Sequence, residues 1–246
     1  MRKREKLFLF VSILAFSLEV LGESYSPCKK IRFNEEVKLS ETEKNLICGN
    51  PKQKAWKEIP LAQAQGFITS FLQSRGHLTP EFKITEGVLD IEIGKKHKVE
   101  QTLVVPQDLI ESKDLNEEIW YLYRNTTLTP KTLSSMEASV TGFARERAYA
   151  CAEFKSTANA NKNLVVLEGA QLDRYKFGRA KTEQLPGMEE TAFDRFYPFH
   201  PEQPFNSNKL KLTEKRLERA GVVDGSYFIE NCSKELKELT LKHDLL

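Results

Sequence analysis

Between Pro60 and Val105 the apolar positions change period once, from helical to extended. Leu61, Ala64, Phe67, Ile68, Phe71 and Leu72 recur at three- and four-residue spacing and form one apolar stripe. Pro60 opens this helix, proline being favoured at the first helical position. Gly76, just after Arg75, is a C-cap signal. Beyond it Phe82 and Ile84, then Val88, Leu89, Ile91 and Ile93, alternate with polar residues at the period of a strand. A turn at Gly94 and the two lysines after it would bring the chain back as a second apolar strand, Val99 to Val105. A one-sided helix followed by a one-sided hairpin predicts a helix-on-sheet unit, because each must bury its apolar face against the other.

The residues upstream complete the unit. Ile31 to Phe33 is a short strand candidate. Leu39 to Leu46 is a short polar helix with Ser40 as N-cap and Glu43 at the capping-box position. Gly49-Asn50-Pro51 ends it. The order from Ile31 to Val105 is therefore strand, helix, helix, strand, strand. The same order returns downstream. Leu103 to Val105 can lead into the next unit, and Leu115 to Tyr123 is a short amphipathic helix. Thr129-Pro130 starts a longer helix with Leu133, Met136, Val140, Phe143 and Ala144 as its stripe, ending near Ala148-Tyr149. Strands follow at Cys151 to Lys155 and Leu164 to Leu167, and Tyr175 to Phe177 continues extended.

Subtraction exposes the repeat. Phe71 and Phe143, Arg75 and Arg147, and Phe82-Lys83 and Phe154-Lys155 each lie 72 residues apart. A third, weaker copy sets Leu217 against Leu72 and Gly221 against Gly76, an offset of 145, about twice the first. Leu210 to Ala220 is its helix. Phe193, Phe196, Tyr197 and Phe199 fall in a short first helix and the loop after it.

Charge and cysteines narrow the setting. Arg2, Lys3, Arg4 and Lys6 precede an apolar run, Leu7 to Phe16, too short to span a bilayer. Residues 1–22 therefore read as a secretory signal peptide, and the chain as exported. The whole chain has 37 basic and 35 acidic residues; without the four and two in residues 1–22, 33 of each remain. A balanced mature chain lacks the basic excess of a nucleic-acid binder and gives no reason for electrostatic membrane docking. In an oxidising compartment, Cys28, Cys48, Cys151 and Cys232 predict two disulfides with three possible connectivities. The local Cys28–Cys48 pair is the first choice, which would leave Cys151 with Cys232. No cysteine pair has zinc spacing, and His77, His97, His200 and His243 are scattered. No nucleophile elbow, HExxH, CxxC or phosphate loop is present. Neither a metal nor a cofactor is expected, and no catalytic activity.

The runs FLQSRGHL with LDIEIGKKHKVEQTLV, LTPKTLSSMEASVTGFARERAYACAEF with LVVLEGAQLDRYKFGRA, and FNSNKLKLTEKRLERAGVVDGSYF together resemble the POTRA domain. The tripartite run is similar to the periplasmic arm of the outer-membrane protein assembly superfamily, to which BamA and TamA belong, with the TamA-like branch closer. In that resemblance Glu168-Gly169 fits an acidic-glycine turn of the last strand. The implied fold is α+β: tandem small POTRA-like β-α-α-β-β modules over 29–105, 106–178 and 179–246, the third closing at most within residues 233–246, behind the signal peptide and with no β-barrel in this chain. The implied role is a non-enzymatic periplasmic arm in outer-membrane protein assembly or translocation. Its partners would be unfolded outer-membrane or secreted polypeptides and a barrel subunit or inner-membrane-anchored partner, through which it would associate with the outer membrane. Clients would add as a strand to a sheet edge. The candidate edges are Glu81, Phe82, Lys83 and Ile84, and Ala152, Glu153, Phe154 and Lys155, with Phe82 and Phe154 toward the core and Lys83 and Lys155 toward solvent. The alternatives are an arm of a two-partner secretion transporter, and an unrelated disulfide-stapled periplasmic binding protein.

Overall fold

Three small sheets backed by helices divide the apolar residues into three buried clusters. The computed structural model describes residues 24–54, 57–106, 112–182, 189–221, 223–233 and 238–245. The signal-peptide reading of residues 1–22 lies outside them. The first sheet contains β1 (Tyr25–Cys28), β2 (Ile31–Phe33), β3 (Glu81–Thr85) and β4 (Val88–Glu92), with α1 (Glu41–Cys48) and α2 (Leu61–Ser74) between β2 and β3. The second contains β5 (Gln101–Val105), β6 (Glu153–Asn159) and β7 (Leu164–Ala170), with α3 (Ser112–Tyr123) and α4 (Pro130–Glu146) between β5 and β6. The third contains β8 (Lys176–Thr182), β9 (Ser226–Ser233) and β10 (Glu238–Leu245); a 3₁₀ helix, Glu190–Phe196, and α5 (Ser207–Arg219) intervene. The spatial orders are β1-β2-β4-β3, β5-β7-β6 and β8-β10-β9. In each sheet the last strand in sequence is an inner one, parallel to the strand that leads into the unit's helices and antiparallel to the strand just before it.

Local chemistry explains the helix limits. The Ser40 side chain accepts from the Glu43 amide while Glu43 bonds back to Ser40, a complete capping box. Thr129 caps α4 ahead of Pro130. At the end of α2 the His77 amide donates to the Leu72 carbonyl and Gly76 to Gln73, each at 3.0 Å, satisfying carbonyls the helix leaves open. This closure needs a left-handed residue, and Gly76 supplies it at φ 93°. The repeat carries that backbone state with it: Ala148 (φ 77°) and Gly221 (φ 64°) stand 72 and 145 residues after Gly76, and α4 repeats the first of those two bonds, Tyr149 to Ala144, while α5 repeats the second, Gly221 to Glu218.

The three cores follow from the stripes. Ile31, Phe33, Leu89 and Ile91 of the first sheet meet Ala64, Ile68, Phe71 and Leu72 of α2. Val104, Val165 and Leu167 meet Leu115, Ile119, Met136, Val140 and Ala144. In the third cluster Phe177 stacks on Phe199 at 4.2 Å and touches Phe205 at 5.2 Å, beside Leu239 and Leu241.

Two strand expectations are corrected. Val88–Glu92 does not pair with the run ending at Val105. It forms a hairpin with β3, and β5 joins β7 in the next sheet. Glu86 (φ 53°) and Gly87 (φ 79°) make the two-residue turn, both in the left-handed conformation a primed turn requires. Glu168-Gly169 is not a turn but lies within β7. Gly169 sits opposite Phe154, where a Cβ would lie 2.8 Å from the ring, so the glycine serves close packing rather than a bend.

The cysteines meet in two pairs. Cys28 lies at disulfide distance from Cys48, with Cα atoms 5.9 Å apart, and Cys151 from Cys232, at 6.4 Å. The second pair ties the end of α4 to β9. The same junction carries the Arg145–Glu230 ion pair and a 2.7 Å bond from the Asn206 side-chain Nδ2 to the Glu146 carbonyl.

Candidate docking edges

β3 is the outer strand of the first sheet. Its tight turn makes Thr85 and Val88 a hydrogen-bonded pair, and alternation then directs the backbone groups of Lys83 and Glu81 to β4 as well. Phe82 and Ile84 turn their N–H and C=O groups outward. Their side chains share the core face with Ile91 and Leu89 opposite them. Phe82 packs against the first core, whereas Ile84 remains 61% exposed. Glu81, Lys83 and Thr85 are exposed. Arg32 holds Asp90 through a 2.5 Å bond on the neighbouring strands, and that bond keeps the Asp90 carboxyl below its usual range, with smaller help from Thr85 and Lys83.

β6 is the outer strand of the second sheet. Glu153 and Lys155 are exposed and Phe154 is buried. Ala152 does not belong to this edge. It precedes the strand, is buried in the second core, and gives its amide to the Tyr149 carbonyl at 3.2 Å. Midway along β6, Ser156 donates both its backbone N–H (2.7 Å) and its hydroxyl (2.6 Å) to one carboxylate oxygen of Glu137 on α4. Ile84 is among the candidate edge residues of the sequence; the Glu137–Ser156 contact is not, because Glu137 reads as part of a charged helix face.

Among the described residues no group of His, Cys, Asp and Glu could hold a metal. A cavity of about 620 Å³ lies between β8 and the 3₁₀ helix, with Arg179, Asp194 and His200 at its wall. Behind it His243 is buried, its ring stacked on Phe228 at 4.2 Å and its Nδ1 3.1 Å from the Tyr197 hydroxyl. Burial pushes the His243 pKa down to about 4, Asp244 opposing only in part. The unfolded chain therefore takes up this proton near pH 6.5, the folded chain only near 4. Above pH 6.5 the residue contributes no pH dependence. Stability falls as pH drops from 6.5 to 4, by up to ~3 kcal/mol, and the contribution levels off below that. Glu214, pushed up by burial and by Glu218, acts in the opposite sense. Urea titrations followed by near-UV circular dichroism should show that loss in the native chain and a much flatter profile in His243→Phe. Equal slopes in both would remove His243 as the cause.

No protein-family model matches the chain, and no curated protein matches it in sequence. Solved structures do share its fold. POTRA domains 3 to 5 of BamA from Haemophilus influenzae align over 91% of this chain and 97% of that one, with a TM-score of 0.56 and 13% identity. POTRA domains 1 to 3 of Omp85 from Anabaena align over 87% and 92%, with a TM-score of 0.40 and 12% identity. The likeness is one of architecture: the chain is α+β and has the fold of consecutive POTRA domains.

Proposed function

We propose that this chain is a periplasmic, non-enzymatic arm of three POTRA domains that docks an extended segment of an outer-membrane or secreted polypeptide, in outer-membrane protein assembly or secretion. We divide it by its sheets, at 25–92, 101–170 and 176–245, which assigns β5 and β8 to the units they open. The observation that carries the reading is the β3 edge. It offers outward backbone donors and acceptors beside an exposed apolar side chain, Ile84, so backbone bonds would give affinity and the apolar contact a mild preference. The fold shared with BamA supports the setting. No described helix is long and apolar enough to cross a membrane. We assign attachment at the outer membrane to a barrel subunit or an inner-membrane-anchored partner.

Ile84→Pro tests this directly. Proline at 84 deletes an outward N–H and leaves the inward ladder through Glu81, Lys83 and Thr85 in place. A photoactivatable residue at position 83 should capture a urea-diluted, unfolded outer-membrane barrel protein. Ile84→Pro should weaken that capture about tenfold while circular dichroism stays unchanged. Capture equally strong in Ile84→Pro would sink the edge as the docking site.

A further inference from the structure

The two edge strands repeat in sequence but not in state. The offset of 72 that relates the first two units sets Ser156 against Ile84 and Glu137 against Gln65. In the second unit α4 packs along β6; α2 makes no comparable contact with β3. Glu137 can therefore reach the strand edge, and its Oε1 accepts both donors of Ser156. The Ser156 amide points away from its partner Leu167 on β7, because it is engaged by the helix instead. A partner strand adding to β6 would have to set a carbonyl oxygen where this carboxylate oxygen lies. In the first unit Gln65 is exposed, and no side-chain hydrogen bond reaches the backbone of Phe82 or Ile84 among those of the described residues.

We propose that Glu137 closes the β6 edge by standing in for a partner strand's carbonyl, so that of the two equivalent edges, β3 and β6, only β3 takes an added strand. This rests on the strand-addition reading above. The occupant of β3 is an extended polypeptide with an apolar residue at every second position, since a cross-strand neighbour of Ile84 would bury it. Displacing Glu137 exchanges two charge-assisted bonds for neutral ones, a handicap of about 10- to 100-fold in affinity for β6.

The test uses the mature chain and a labelled heptapeptide of alternating threonine and valine as probe, with a photoactivatable residue placed at position 83 or at position 155. The native chain should crosslink at 83 and not at 155. Glu137→Ala should retain the first and gain the second, with Ser156 amide exchange at least tenfold faster. Glu137→Gln, whose neutral amide oxygen still accepts from Ser156, should keep the Ser156 amide slow to exchange and should crosslink at 155 to a degree between the native chain and alanine; Ser156 exchange as fast as in alanine would overturn the proposal. Crosslinking at 155 in the native chain overturns the proposal and leaves docking at β3 standing. So does a folded Glu137→Ala that binds at 83 but not at 155. Absence of any crosslink at 83, in native and variant chains alike, overturns the docking reading and this inference with it. If Glu137→Ala fails to fold, the native crosslink pattern and the Glu137→Gln exchange rate still decide.

Discussion

Replacing Cys151 and Cys232 together by serine is expected to destabilise the chain by about 4–5 kcal/mol. The figure comes from the loop that the cross-link closes. The two cysteines are 81 residues apart, and the chain-entropy relation gives roughly 4.5 kcal/mol for a loop of that size. The same relation gives about 3 kcal/mol for Cys28–Cys48, whose separation is 20. The distal pair also joins two units: Cys151 follows α4, Cys232 lies on β9, and both pack against the third cluster. Its loss should therefore fall mainly on the third unit, leaving the Arg145–Glu230 pair and the Asn206–Glu146 bond to hold that junction. Denaturant melts of the double variant measure the loss, and thiol titration of the untreated protein checks that both bridges form. Two or more free thiols before reduction, or an unchanged midpoint after substitution, would remove the cross-link from the account.

Phe71→Ala should cost about 3–5 kcal/mol, the range for truncating a buried aromatic. Phe71 is only 8% exposed and packs in the first core, where the Arg75 guanidinium lies 4.1 Å from the ring centre and covers its outer side. The repeat equates Phe143 with Phe71, and sequence alone predicts equal effects. Phe143, however, is only partly buried, at the margin of the second core. Phe143→Ala should therefore cost less, about 1–2 kcal/mol, since less apolar area returns to water. Thermal melts of the two variants side by side test this. Equal losses would mean that the margin of the second core is tighter than the burial indicates.

What was legible in the sequence was mostly local. Ser40 with Glu43, Thr129 with Pro130 and Gly76 act on amides within four residues, so a string of letters carries them. The offset of 72 was legible in Phe71 and Phe143, Arg75 and Arg147, and the two Phe-Lys pairs; the left-handed state it also carries is hidden where Gly76 is replaced by Ala148. Strand pairing was less so. Alternation at β4 and β5 says which face is buried but not which strand lies alongside, and the partners turn out to be β3 and β7. The turn at Glu168-Gly169 is an expectation of the resemblance alone. Only the ring of Phe154 opposite reveals the packing role of Gly169. Glu137 is one carboxylate among many on mixed helix faces, and its contact with Ser156 spans 19 residues.

The inner position of the last strand in every sheet bears on the order in which the chain can fold. The parallel pairings join Ile31 to Leu89, Gln101 to Leu164 and Lys176 to Glu238, separations of 58, 63 and 62 residues. Helices α2 and α4 can form from local contacts as they emerge. Apart from the local β1–β2 pair, the flanking strands gain no ladder until the last one arrives, and closing a loop of this size adds an entropic barrier. A chain synthesised or threaded from its N-terminus thus completes each unit only with that unit's final few residues. Interrupting it before residue 88 leaves β3 with its inner and outer edges both unpaired, ready to take another chain's strand in place of β4.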